Sequence, residues 1–246
     1  MGRRMTLALV IAAPVLGCLS CTRYPKLEPR EPHSGGSPPD LKAPIILVAQ
    51  LLSNEAVGRP YAPEWDTYIK IQEYRVRVTV EHVVRGNIAE REAPIYYFGY
   101  PHFMGGPPNL GMRENGGWWH LGDSIVFFLE REQGALRTIC DFRNYCAVRV
   151  FTGVHPNFKF DPNKPLDCSI AELLLSRGPN TTDLQMAQAI LSDRAYIFSV
   201  PCRTQRLKEL ENDPSPLVRQ AAVCVERAPL DSPCQMNLPG EYNARR

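Results

Sequence analysis

The side chains that could do chemistry in this chain are few and scattered. The five histidines are His33, His82, His102, His120 and His155. None belongs to an H-E-x-x-H motif, the spacing that sets two imidazoles on one helix face around a metal. His102 and His120 bracket a glycine-rich stretch, and Asp123 follows closely. Two imidazoles and a carboxylate form a ligand set for a metal that activates water. A metal-assisted hydrolase using His102, His120 and Asp123 is therefore one functional expectation. No G-x-S-x-G, P-loop or paired-glycine dinucleotide fingerprint occurs. No cofactor and no catalytic residue is expected under the leading reading.

That reading is a non-catalytic binding module. Gly99–Gly117 contains six glycines and three prolines, interspersed with Tyr100, His102, Phe103, Met104 and Met112. Trp118 and Trp119 close it. Long excursions between strands often carry function, and exposed aromatic side chains anchor partners. Tyr100, Phe103, Trp118 and Trp119 are thus the candidate binding residues, for a protein or a glycan. The same rings could instead pack beneath the fold. A third expectation is a structural scaffold with its C-terminal helices as contact surface.

Cysteine usage bears on compartment. After Cys18 and Cys21, six remain: Cys140, Cys146, Cys168, Cys202, Cys224 and Cys234. An even count in an exported chain favours disulfides. The expected pairs are Cys140–Cys146 across a turn and Cys202–Cys224 between the last two helices. No C-x-x-C occurs among the six, so neither a zinc ribbon nor a thioredoxin-type motif is indicated.

The clearest element available to position these residues is Tyr74–Gly86. Tyr74, Val76, Val78 and Val80 share one face, and Arg75, Arg77, Thr79 and Glu81 the other, the alternation of a half-buried strand. It fails at His82-Val83-Val84, which predicts a β-bulge and curvature. Ala93–Gly99 reads as the returning strand. Ile45–Leu52 suits a buried first strand, and Ser53–Thr67, with Gly58, Pro60 and Pro63, reads as a loop. Ser124–Glu130 is nearly continuously apolar. Ala135–Cys140 and Ala147–Phe151 make two short strands.

The N-terminus carries an address. Met1–Gly17 joins basic Arg3 and Arg4 to an apolar core too short for a comfortable membrane span, the form of a secretory signal. Val15-Leu16-Gly17-Cys18 resembles a bacterial lipobox, which implies cleavage before Cys18 and acylation of its thiol. Cleavage by an ordinary signal peptidase and an uncleaved signal anchor are the alternatives. The expected membrane partner is reached through that N-terminal lipid. Residues 18–43, rich in Pro, Gly, Ser and charge, read as a disordered tether. Without Arg3 and Arg4 the 28 Lys and Arg fall to 26, equal to the 26 Asp and Glu. A formally neutral mature chain argues against a nucleic-acid partner bound by bulk charge.

The order of strands, with Val80, Val83, Val84, Arg85 and Gly86 and later Gly122 and Val126–Leu129, resembles the netrin-like barrel of the tissue inhibitors of metalloproteinases and their bacterial relatives. The resemblance covers about 44–151 and implies an OB-type five-stranded barrel. In those inhibitors a Cys at the mature N-terminus chelates the protease zinc. Here Cys18 would be acylated and separated from the barrel by the tether, so the resemblance implies the fold and not the inhibition. Beyond Phe151 the pattern turns helical: Ser169–Arg177 with Ser169 as N-cap, Asp183–Leu191 capped by Thr182, Cys202–Asn212, and a last helix from Pro216 to about Arg227. Leu207, Leu210, Asp213-Pro214, Val218-Arg219 and Ala221-Ala222 resemble a HEAT repeat, with a degenerate one before it. The expectation is an α+β chain: signal peptide 1–17, tether 18–43, OB-like antiparallel β-barrel 44–151, helical region 168–228 and tail 229–246.

Overall fold

Alternation and apolar runs become strands where the reading places them, and one strand runs further than expected. The computed structural model describes residues 27–29, 42–64, 67–68, 70–99, 120–139, 147–154, 158–161, 163–192, 200–227, 234 and 236. Six strands form one sheet: β1 (Ile45–Tyr61), β2 (Ile71–Arg85), β3 (Glu92–Gly99), β4 (Ser124–Glu132), β5 (Ala135–Thr138) and β6 (Ala147–Arg149). Four helices follow: α1 (Leu166–Leu174), α2 (Asp183–Ser192), α3 (Val200–Leu210) and α4 (Pro216–Arg227). The chain is α+β, as expected, but its sheet is mixed and not wholly antiparallel, because β3 and β5 run parallel.

The pairing runs β1-β2-β3-β5-β4, and β4 pairs back onto β1, so the sheet closes as a ring. Side chains divide between its two surfaces by strand parity. Leu47, Ala49, Val76, Val78, Ile95 and Phe127 belong to the interior core. Their neighbours Ile46, Val48, Val126 and Phe128 face outward and meet Ile170, Leu173 and Leu174 of α1. This explains why β1 and β4 read as continuous apolar runs: both of their faces are buried.

Curvature comes from bulges. Along the β1–β2 pair the register steps from Ile46↔Arg85 to Leu47↔Val83, and from Val48↔His82 to Ala49↔Val80. Val84 and Glu81 are the extra residues, so the break in alternation at His82–Val84 marks a real irregularity. Gly86 follows with φ +86°, and a Cβ there would lie 2.9 Å from both Ile45 Cγ1 and Pro44 O. Only glycine fits that turn.

Several expectations need correction. Residues Ser53–Tyr61 are strand, not loop, because Asn54–Val57 continue to pair with Val76–Glu73 of β2. Gly58 (φ +71°) and Pro60 fall where the register breaks between Val57 and Tyr61. The first helix starts at Leu166, after Pro165, so Ser169 is no cap but a buried helix residue. Thr182 does cap α2: its Oγ1 accepts from Gln185 N at 3.1 Å while Gln185 Oε1 accepts from Thr182 N at 2.9 Å, a reciprocal capping box.

The Cys202–Cys224 pairing is not formed. Cys202 bonds Cys168 of α1, and Cys224 bonds Cys234. The reason is geometric: α3 lies beside α1 at its Cys202 end, while Cys234 and Met236 pack onto the helical core that includes α4. Cys140–Cys146 lies outside the described residues. The flanking Ile139 and Ala147 both lie along β4, Ile139 N donating to Phe128 O and Ala147 pairing with Phe127.

Helices α2, α3 and α4 share a second core of Met186, Ile190, Leu207, Val218, Ala221 and Ala222, among others. Polar links tie it to the rest. Arg206 donates to Leu175 O at 3.0 Å, and Arg177 joins Asp183 and Asp213 at 2.8 and 3.1 Å.

Candidate functional site

The described residues that face the ring interior form a buried, largely apolar core. Toward the end where β1 and β2 extend, Tyr74 and Tyr97 stack with centroids 5.0 Å apart and planes 12° from parallel. Both are buried. Tyr97 donates its hydroxyl proton to Asn54 Oδ1 at 3.3 Å. Buried Gln72 closes the same end, its Nε2 donating to Val57 O and Glu73 O at 2.8 and 2.9 Å. Burial pushes the Tyr74 phenol above its usual range, so it stays protonated. The outer surfaces carry the exposed large side chains.

One end of the sheet stands out on those surfaces. Leu52, Tyr61, Tyr68 and Leu121 are large apolar or aromatic residues left exposed, Tyr68 by 98% and Leu121 by 67%. Leu52 is the residue skipped where Leu51 pairs with Val78 and Ser53 with Arg77. Leu121 sits beside it, because Gly122 N donates to Leu51 O at 2.8 Å and Leu51 N to Asp123 O at 2.9 Å. Tyr61 ends β1 opposite Ile71, with Tyr68 in the connection to β2. The same end contains both borders of the glycine-rich excursion: Gly99 pairs with Gln72, and His120 opens the turn into β4. Exposed residues thus lie in two places, Leu52 with Leu121 beside Leu51, and Tyr61 with the Tyr68 connection nine residues further along β1.

Asp123 holds this end together. Its Oδ1 accepts from Arg149 at 2.7 Å, and its Oδ2 accepts from the His120 backbone N–H at 2.6 Å. The His120 ring, mostly exposed, lies 3.6 Å from the same oxygen. Gln50 Nε2 adds a bond to Gly122 O at 3.2 Å. Both carboxylate oxygens are thus engaged in fixing the turn and joining β6 to it. His102, the third member of the expected hydrolase set, lies outside the described residues. No cluster of three His, Cys, Asp or Glu forms among the described residues.

A different surface covers β2, β3 and β5. Leu27, within the expected tether, is buried against Ile71, Tyr96 and Phe98. Arg137 is buried in the same face at 1% exposure, donating to Glu132 Oε2 at 2.6 Å, with its guanidinium 5.1 Å above the Phe98 ring. Glu73 lies close by. Burial raises its carboxyl pKa, and the Arg137 charge opposes that rise.

Of the sequence-predicted site residues, Tyr100, Phe103, Trp118, Trp119 and Cys18 lie outside the described residues. His120 and Asp123 come together in the turn just described. Sequence reasoning missed Leu52, Tyr61, Tyr68, Leu121 and Leu27. The adjacent Leu51-Leu52 pair is a signal for the first, since two neighbouring leucines cannot both face one core in a regular strand. Nothing comparable marks Leu27, a single apolar residue between prolines. Among the described residues no helix is long and apolar enough to cross a membrane, and two disulfides fit an oxidising, exported location. No protein-family model matches the chain, and no curated protein matches it.

Proposed function

We propose that this chain is an exported, lipid-anchored envelope protein that binds a protein or glycan partner without catalysis, through the extended-hairpin end of its sheet. The observation that carries the reading is the exposed set Leu52, Tyr61, Tyr68 and Leu121 around the borders of the 100–119 excursion. Trp118, Trp119, Tyr100 and Phe103 belong to that excursion by sequence and would extend the same surface. The lipid anchor rests on the lipobox-like Val15-Leu16-Gly17-Cys18, and export is supported by the two disulfides.

The pairing order, with parallel β3–β5 and β1 shared between β2 and β4, favours an OB-type barrel for the sheet. Such barrels bind oligomeric ligands across strands 2 and 3 and the adjoining loops. Here Leu27 covers part of the β2–β3 face, which moves the available surface to the hairpin end. The helices favour two stacked HEAT-like pairs: α1 touches α3, α2 touches α4, and Arg177 links Asp183 to Asp213 across the two turns.

The test is a paired capture from detergent-solubilised cell envelope, followed by direct binding with each purified candidate. Wild type is compared with a Tyr68→Ser/Leu121→Ser chain and a Trp118→Ala/Trp119→Ala chain. Loss of about tenfold in affinity for either variant, 1.4 kcal/mol by the usual conversion, is the expected result. Unchanged binding by both variants refutes a hairpin-end site.

A further inference from the structure

We infer that the N-terminal leash is short: Leu27 clips the chain to the β2–β3–β5 face, so the domain is held close against the lipid surface with that face toward it. The inference rests on the proposed acylation of Cys18 and adds where the anchored domain sits. Leu27 is 4% exposed, and its neighbours Ile71, Tyr96 and Phe98 are 0%, 5% and 1% exposed. A leucine so enclosed is a fixed point of the chain, not a passing contact. Composition alone places the first fixed point near Pro44, 26 residues after Cys18. An extended chain of that length reaches about 90 Å. Leu27 comes only nine positions after Cys18, an extended reach of about 30 Å. The free leash is therefore about a third of the apparent tether.

The fixed point also sets an orientation. Leu27 sits on the outer surface of β2, β3 and β5, whereas α1 covers the outer surface of β1 and β4. These strands occupy opposite sides of the ring, with β1 reached from β3 only through β2 or through β5 and β4. A leash of about 30 Å attached to one side keeps that side near the bilayer and directs the helices away from it.

The experiment places one flexible spacer at two positions in the full chain. A twenty-residue Gly/Ser insert has a root-mean-square span of about 25 Å. One version lies between Cys21 and Thr22, before the clip, and the other between Gly35 and Gly36, after it. Neither insert touches a residue of the sheet or helices. The acylated proteins are incorporated in phosphatidylethanolamine/phosphatidylglycerol vesicles carrying an acceptor-labelled lipid. Energy transfer is read from a donor at position 68, whose native tyrosine is fully exposed. The early insert should lower transfer about twofold or more, and the late insert should leave it unchanged. Equal falls for both inserts, with acylation confirmed by mass spectrometry, overturn the clip while leaving the anchor in place. A mature chain carrying no acyl group at Cys18 overturns the anchor and the leash together. Protection of the Leu27 segment from hydrogen exchange in Cys18→Ser protein shows separately whether the clip forms without lipid.

Discussion

The two outer faces of the sheet are covered in very different ways. Over β1, β4 and β6 lies a helix: Ile170, Leu173 and Leu174 of α1 interlock with Ile46, Val48, Val126 and Phe128. Over β2, β3 and β5 lies Leu27, which packs on Ile71, Tyr96 and Phe98. The first cover is broad, continuous in sequence with the sheet, and bound to α3 by Cys168–Cys202. The second reaches the sheet at Leu27, ahead of β1 in the chain. The side chains that α1 meets in the sheet are apolar. On the face that carries Leu27 lies a buried guanidinium, Arg137, with Glu73 and Glu132 near it. Burying charge there is costly unless partners satisfy it. The helix-covered side is expected to be the structural wall, and loss of the Leu27 contact is expected to cost the fold less.

The largest expected effect sits on the helix-covered side. Phe128 is fully buried between sheet and α1. Phe128→Ala should cost about 3–5 kcal/mol, read as a shift of the urea midpoint. Because α1 also touches α3, helix and sheet signals should move together. A loss below about 1 kcal/mol would mean that α1 is a loose attachment, and the two faces would not differ in kind.

Leu27→Ala should cost less. Complete burial of a leucine contributes about 1.5–3 kcal/mol, and removal of one side chain at the end of a connecting segment leaves a face that can rehydrate. A cost of about 1–2 kcal/mol is expected, with an unchanged unfolding slope. Limited proteolysis should show earlier cleavage near residues 25–35 while the sheet and helices stay resistant. If the Leu27 and Phe128 variants lose equal stability, the narrow cover is as structural as the helix.

The contrast also separates what was legible in the sequence from what was not. The helix-covered wall was legible because both partners carry period: Ile45–Leu52 and Ser124–Glu130 are too apolar for strands with one wet face, and the region after Pro165 has helical spacing. The bulge at His82–Val84 was legible because two adjacent apolar residues violate alternation. The clip was not, since one leucine among prolines has no period. The extension of β1 to Tyr61 was hidden by Gly58 and Pro60, which signal turns wherever they occur but here lie only at its irregular end. The disulfide partners depended on which helices become neighbours in space, and spacing along the chain favoured Cys224 over Cys168 for Cys202. At the candidate site, the Leu51-Leu52 pair held a readable signal, whereas the placement of Leu121 beside Leu52 depends on the Asp123 turn, and that of Tyr61 and Tyr68 on the extended hairpin.

The smallest expected effect isolates the charge on the face that carries Leu27. Glu73 is half-buried, and its buried Oε1 has no hydrogen-bond partner. Burial holds its carboxyl above the ordinary value of 4.5, against the pull of Arg137. An unfolded chain sheds this proton near 4.5, while the folded chain keeps it to higher pH. Folding stability therefore falls as pH rises above 4.5 and levels off once the folded carboxyl has also ionised. Glu73→Gln removes that dependence. The variant should match wild type near pH 4 and exceed it at pH 7, by less than about 1 kcal/mol because solvent screens a half-exposed group. Urea midpoints at several pH values between 4 and 8 test this directly. A variant less stable than wild type at pH 7 would mean that the Arg137 attraction outweighs burial, making the charge on that face a support for the fold and not a strain upon it.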